Sequence, residues 1–139
     1  MNVLIDANVA LYKLLEHPAF FQPSDAIFKL AELGYLAGHI SASAVTDIYY
    51  IARKTLGKAE AAEALKKLLH VFHPATVTGE DIFKALELNW GDFEDSVQFV
   101  VGESLSVDYI ITRNTADFSS GSIPAITPER FIKVITEKQ

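Results

Sequence analysis

Residues 2–5, Asn-Val-Leu-Ile, form a short β-branched run that stops at Asp6, with helical periodicity beginning two residues later. The run does not alternate polar with apolar, so it reads as a strand covered on both faces. Such strands belong to parallel sheets with helices on either side. The rest of the chain repeats this pairing. Residues 8–17 read as a helix ended by His17-Pro18. The stretch FQPSDAIFKLAELGY holds a second helix, with Ser24 as its expected N-cap and Gly34 as its stop. Residues 36–43 suit a second strand, followed by one helix ending at Gly57 and a second, amphipathic one. FHPATV suits a third strand, and Thr78 with Asp81 opens a capped helix. Residues 107–113, VDYIITR, are the most strand-like segment, and a short strand with a helix from Pro128 closes the chain. Strands and helices joined by short connections predict a three-layer α/β/α fold around a central, mainly parallel sheet, with residues 1–139 forming a single domain.

In open parallel sheets, binding sites form beyond the carboxyl ends of the strands. Asp6 and Asn8 follow the first strand, Ser43 and Asp47 the second, and Asn114 and Asp117 the VDYIITR strand. The stretch NWGDFEDSVQF adds Asp92, Glu94 and Asp95 at the start of the helix that feeds that strand. Each of these acids also has a plain structural role open to it. Asp6 can cap the helix that begins near Asn8. Asp47 lies on the arc opposite the apolar stripe of Val45, Ile48, Tyr49, Ala52 and Leu56. Asp117 can make an Asx turn. Asp92 fits an N-cap with Asp95 three residues on, and Glu94 fits the positive end of the helix dipole. No single position decides between these readings.

The remaining residues exclude more than they assign. The net charge of −6 argues against passive nucleic-acid binding, which neutralises phosphates with clustered lysine and arginine. It leaves room for acidic residues that hold divalent cations. The absence of cysteine rules out disulfides and thiolate zinc sites. Asp6 interrupts the apolar N-terminus, which lacks a basic flank, so neither a signal peptide nor a membrane span is expected, and the cytoplasm is the default location. Arg53, Lys54, Lys58, Lys66 and Lys67 lie on two consecutive helices and either form a phosphate-facing rim or simply solubilise them. The four histidines show no ligand spacing, and Trp90 reads as a plug at the edge of the core. No phosphate loop or nucleophile elbow is present.

Taken together, LIDANV, SASAVTD, DFEDSVQ and DYIITRNTADF resemble a PIN domain, the nuclease fold of VapC-type toxins, in the family's order and over nearly the whole chain. The resemblance implies a catalytic set of Asp6, Asp47, Asp95 and Asp117. Within it, Asp6, Asp95 and Asp117 would be metal ligands, and Asn8, Ser43, Thr112 and Asn114 would contact substrate or support the ligands. It implies magnesium or manganese as cofactor and metal-assisted hydrolysis of single-stranded RNA. Partners would be a small antitoxin plugging the acidic groove and a second copy of the chain. Tyr50 and Ile51 suit such a contact surface and equally suit a core. Two departures stand out. Asp47 occupies a position where many relatives carry glutamate, and Asn114 stands where many carry aspartate. A binding module with a decayed site is the alternative. A haloacid-dehalogenase-like phosphatase fits less well, because its second aspartate would fall on Asn8.

Overall fold

The computed structural model describes residues 1–137, so the last two positions of the expected domain lie outside the described residues. Its elements are β1 (Asn2–Ile5), α1 (Ala7–Leu14), α2 (Phe21–Glu32), β2 (Ala37–Ser41), α3 (Ala42–Leu56), α4 (Lys58–Val71) and β3 (Phe72–Ala75). There follow α5 (Gly79–Leu88), α6 (Phe93–Leu105), β4 (Tyr109–Ile111), a short 3-10 helix (Thr115–Phe118), β5 (Ala125–Ile126) and α7 (Pro128–Glu137). The five strands are all parallel, in the order β3-β2-β1-β4-β5.

Alternation along β1 divides the core in two. Val3 and Ile5 point to one face, where α1, α2, α3, α4 and α7 cover them with Ile27, Ile48, Leu68 and Phe131. Leu4 points to the other face and meets Val97, Val100 and Val101 of α6, Ala85 of α5 and Phe118. With both faces covered, Val3, Leu4 and Ile5 of β1 are fully buried, which is what its unbroken apolar run requires. Helix α6 is buried continuously from Ser96 to Gly102, wedged between the sheet and its neighbours. Trp90 packs against Phe99 and Phe118, as expected for an edge plug.

The helix boundaries carry one correction. Ser24 is not the N-cap of α2. It lies buried inside the helix, and its hydroxyl has no hydrogen-bond partner. The helix starts at Phe21, four residues before a Ser24 cap would start it, and its N-cap Phe20 makes no side-chain cap bond; His17 instead braces the turn that leads into it. The His17 carbonyl accepts from Phe21 N–H, and its ring Nδ1 accepts from Ala19 and Phe20 N–H. Pro23 then falls in the first turn, where a missing N–H costs nothing. The same rearrangement ends α1 at Leu14, short of the expected residue 17, with Glu16 at φ 52° turning the chain. Gly57, at φ 84°, stops α3 and starts α4 in a backbone conformation that side chains with a Cβ resist.

Candidate active site

The chain runs outward from β1 through β2 to β3, then returns to place β4 on the other side of β1. The order of the sheet therefore reverses between β1 and β4, and a crevice opens at their carboxyl ends. Asp6 follows β1 directly and Thr112 follows β4 directly, and both are buried. Thr112 Oγ1 donates to Asp6 Oδ2 at 2.8 Å and accepts from the backbone N–H of Asn114 at 3.0 Å. On the other oxygen, Gln98 Nε2 donates to Asp6 Oδ1 at 3.3 Å, while Gln98 Oε1 accepts from Ala7 N–H at 3.2 Å. Gln98 Oε1 is committed to Ala7 N–H, so the amide must present its Nε2 donor to the carboxylate, while the Thr112 hydroxyl, already accepting from Asn114, has its proton free to donate there.

Asp6 does not cap α1 with its side chain, although its backbone sits in the N-cap position. Its carboxyl is oriented from the sheet and from α6 instead. Burial raises its pKa above the usual aspartate value, and the Thr112 and Gln98 hydrogen bonds offset part of that rise. A carboxylate only 4 % exposed yet held by two directed donors is positioned for a task beyond capping.

Around Asp6 lies an open cleft of about 300 Å³ lined by Asn8, Asp47, Asp92, Glu94, Asp95 and Gln98, with Tyr50 and Ile51 on its rim. Among the described residues, no lysine or arginine lines it. Asp47 reaches it from the exposed arc of α3, so that arc is both solvent-facing and part of the cleft. The first turn of α6 supplies the rest. Asp92 is its N-cap, accepting from Asp95 N–H at 3.0 Å, and this bond aims the turn. The reciprocal half of a capping box is missing here, whereas it is complete on α5, between Thr78 and Asp81.

Two carboxyls of this turn are strongly perturbed. Burial, reinforced by the charges of Asp92, Asp6 and Asp117, raises Asp95 to about 7. Burial, reinforced chiefly by Asp47 and then Asp6, raises Glu94 to about 7 as well. Glu94 corrects the expectation of a glutamate that serves only the helix dipole and solvent. It is half-buried, one of its oxygens lacks a partner, and it belongs to the acidic group. The other unforeseen member is Gln98. Its signal was a lone polar residue inside the apolar run Val97 to Val101, every residue of which the fold buries.

The remaining expected residues stand farther out. Asp117 sits on the exposed 3-10 helix after β4 and acts on Asp95 through its charge. Asn114 begins that helix, tied to the site through Thr112. Ser43 does not line the cleft; its hydroxyl lies 3.2 Å from that of Ser41, the true N-cap of α3. A separate depression of about 530 Å³ between α2 and α4 has apolar walls with scattered charges of both signs. Among the described residues no three acidic or imidazole groups are arranged to hold an ion unaided. Crowded acids without a basic counterion, one with an orphaned oxygen, nonetheless suit a hard cation that keeps several of its waters, as magnesium does.

Residues 2–116 match a family model described as the PIN domain. No curated protein matches the chain. Among solved structures, the fold is similar to that of the VapBC2 complex from Rickettsia felis, bound to a DNA fragment from its promoter. The TM-score is 0.71 at 15 % identity, over 91 % of this chain and 98 % of that one. It is also similar to VapC20 of Mycobacterium tuberculosis, a sarcin-ricin loop cleaving toxin, with TM-score 0.70 and 13 % identity over 86 % and 95 % of the two chains. A toxin-antitoxin complex from Klebsiella pneumoniae gives 0.66 at 19 % identity over 91 % and 97 %. At these identities the likeness is one of fold.

Proposed function

The chain belongs to the PIN-domain family, and on that premise we propose that it is a metal-dependent endoribonuclease of the VapC toxin kind, working as a single domain. One observation carries the reading. Asp6, Asp47, Glu94 and Asp95, drawn from three separate elements, meet in one cleft at the strand-order reversal without a basic residue among them. A structural role would leave such acids paired or solvated. Here the perturbed carboxyls and the oriented Asp6 act together, as functional sites do.

Asp6, Asp95 and Asp117 would hold magnesium or manganese, with Asp47 on the opposite wall. When bound, the ion activates water and offsets the charge that develops at the phosphate. Thr112 and Gln98 donate to Asp6 and hold it turned into the cleft, and Asn8 lies within it to meet substrate or water. The four acids would repel a phosphodiester on their own, so RNA binding follows cation binding. Asn114 removes one charge beside the 3-10 helix, and Asp117 supplies an acid three residues on. The partners would be single-stranded RNA as substrate, a small antitoxin covering the acidic cleft, and a second copy of this chain. Tyr50 and Ile51, exposed on the rim at 58 % and 44 %, offer the apolar contact such a protein partner needs. Among the described residues no helix is long and apolar enough to cross a membrane, and the cytoplasm is the proposed location.

The test is cleavage of unstructured RNA by the purified protein. Activity is expected with magnesium or manganese, none with chelator, and a loss of at least about 100-fold in Asp6→Asn, the several kcal/mol that a lost cation ligand removes. Equal cleavage by Asp6→Asn, or inertness of the wild type on varied RNAs with either ion, would sink the reading.

A further inference from the structure

Arg113 occupies the bend that follows β4, directly after Thr112 and directly before Asn114, yet it does not line the cleft. Its guanidinium turns instead to α7, where its two terminal nitrogens donate to the two oxygens of Glu129, each at 2.7 Å. The guanidinium carbon lies 3.8 Å from the centre of the Phe20 ring, at the entry to α2. Phe20 is itself braced, its ring stacked on His17 at 4.9 Å and its N–H donating to His17 Nδ1. A bidentate, stacked arginine is fixed in orientation as well as in place, which a lysine ammonium would not be.

An ion pair at the surface ordinarily adds little stability, so what this bend carries is the better guide to why it is pinned. It carries the backbone N–H of Asn114, which donates to Thr112 Oγ1 at 3.0 Å. That bond occupies the hydroxyl oxygen and leaves its proton for Asp6 Oδ2, 2.8 Å away. Movement of the bend would withdraw the N–H and leave the hydroxyl free to turn.

We propose that Arg113 is a positioning residue: pinned to Glu129 and Phe20, it holds the bend so that Asn114 N–H fixes the Thr112 hydroxyl and, through it, the Asp6 carboxylate. This rests on the nuclease reading of the cleft and extends that reading to an ion pair outside it. Two accounts compete. Arg113 could leave Glu129 to grip an RNA phosphate, or the pair could serve stability alone.

Steady-state RNA cleavage with magnesium or manganese by Arg113→Lys and Glu129→Gln separates the three. Both variants break the bidentate pair, and Glu129→Gln does so with the arginine still in place. Each is expected to lower kcat about tenfold with KM unchanged, the lower end of what lost supporting groups cost at metal sites. A phosphate-gripping arginine predicts the reverse: Arg113→Lys keeps kcat, and Glu129→Gln frees the arginine and lowers KM. Asp25→Asn, which breaks another ion pair of the scaffold, is expected to leave kcat unchanged. In a Thr112→Val background, Arg113→Lys is expected to add almost nothing, because the link it acts through is already gone. In the RNA-free protein, the Asn114 amide is expected to exchange faster with solvent in Arg113→Lys than in the wild type. Circular dichroism on each variant confirms folding. The proposal is overturned, with the nuclease reading intact, by an unchanged kcat in folded Arg113→Lys and Glu129→Gln, by an equal loss in Asp25→Asn, by losses that add fully with Thr112→Val, or by an unaltered Asn114 amide. A wild type inert on varied RNAs overturns both.

Discussion

Asp25 on α2 and Asp95 on α6 carry the same carboxylate, and their surroundings drive it in opposite directions. Lys13 Nζ lies 2.7 Å from one oxygen of Asp25 and Lys29 Nζ 3.0 Å from the other, and the Lys13 contact leads in holding its pKa below the usual value. Glu129 is likewise held low by Arg113, whose two terminal nitrogens each donate to it at 2.7 Å while the guanidinium stacks on Phe20. These acids have their cations inside the chain. Asp95 and Glu94 have only burial and other acids around them, and both are pushed up to about 7. The scaffold neutralises acids where it needs rigidity and leaves them uncompensated at the mouth between β1 and β4. On the proposed reading, a cation from solution would serve as their counterion.

The strongest way to break this contrast is to exchange the fates of the two aspartates. Asp95→Asn should abolish RNA cleavage, by about 100-fold or more, and leave the metal-free fold as stable as before or slightly firmer, since it removes repulsion. Asp25→Asn should leave cleavage unchanged and cost about 1–3 kcal/mol, because Lys13 loses its partner while half-buried. Denaturant melts and single-turnover cleavage on both variants read this directly. If Asp95→Asn destabilised the chain and Asp25→Asn spared it, the acids at the mouth would be structural and the contrast would collapse.

The same contrast sets how stability varies with pH. Glu94 and Asp95 have folded values of about 7 against ordinary values of 4.5 and 3.8. Between those limits the folded state binds more protons than the unfolded state, so stability falls as pH rises from about 4 to 7 and is level above. Asp25 and Glu129 are shifted the other way, and their contribution is present above the ordinary values and lost only as pH falls through their lowered ones. Solvent screening at the half-open mouth cuts the Glu94 and Asp95 penalty to about 1 kcal/mol, roughly 4 °C in Tm. Burial, with His73 nearby, lowers the pKa of His39, which removes stability as pH drops below 6.5 and opposes the trend. The clean measurement is therefore a difference. Between pH 5 and pH 8 in chelator, Tm should fall by about 4 °C more in the wild type than in a Glu94→Gln, Asp95→Asn double variant. Equal slopes would mean that both carboxyls are already solvated.

The parts of this arrangement that were legible in sequence are those set by local chemistry. The unbroken apolar run of β1 ending in Asp6 required burial on both faces, and Thr78 with Asp81 formed its capping box as the spacing predicts. Asp92 likewise capped α6 as its position suggests. What local patterns could not show is where a helix turn lies against distant elements. Glu94 looked like a dipole residue because its neighbour across the cleft, Asp47, is 47 positions away in the chain. Gln98 was hidden because helical periodicity places a polar residue on a wet face by default, whereas α6 is buried on all sides at that level. Ser24 failed as a cap for the opposite reason: a short-range rule was overridden by the turn before it, which His17 braces so that the helix is already under way at Phe21.

The finest distinction lies within the paired region itself. Asp25 is shared by two lysines of unequal burial: Lys13 is 31 % exposed, with Phe21 and Phe28 near its ammonium group, whereas Lys29 is 69 % exposed and reaches back one helical turn. A surface pair one turn apart contributes about 0.3–0.5 kcal/mol, and salt screens it further. Lys29→Ala should therefore cost no more than about 0.5 kcal/mol, and alanine's higher helix propensity offsets part of that. Lys13→Met should cost about 1 kcal/mol or more, since it leaves Asp25 leaning on the exposed lysine alone and removes the aromatic contacts of the charge. Urea melts at low and high salt separate the two. The Lys29 effect should vanish at high salt while the Lys13 effect persists. Identical, salt-sensitive costs would mean that Asp25 is held by diffuse surface charge, leaving the carboxylates of the cleft without a firmly paired counterpart on the same fold.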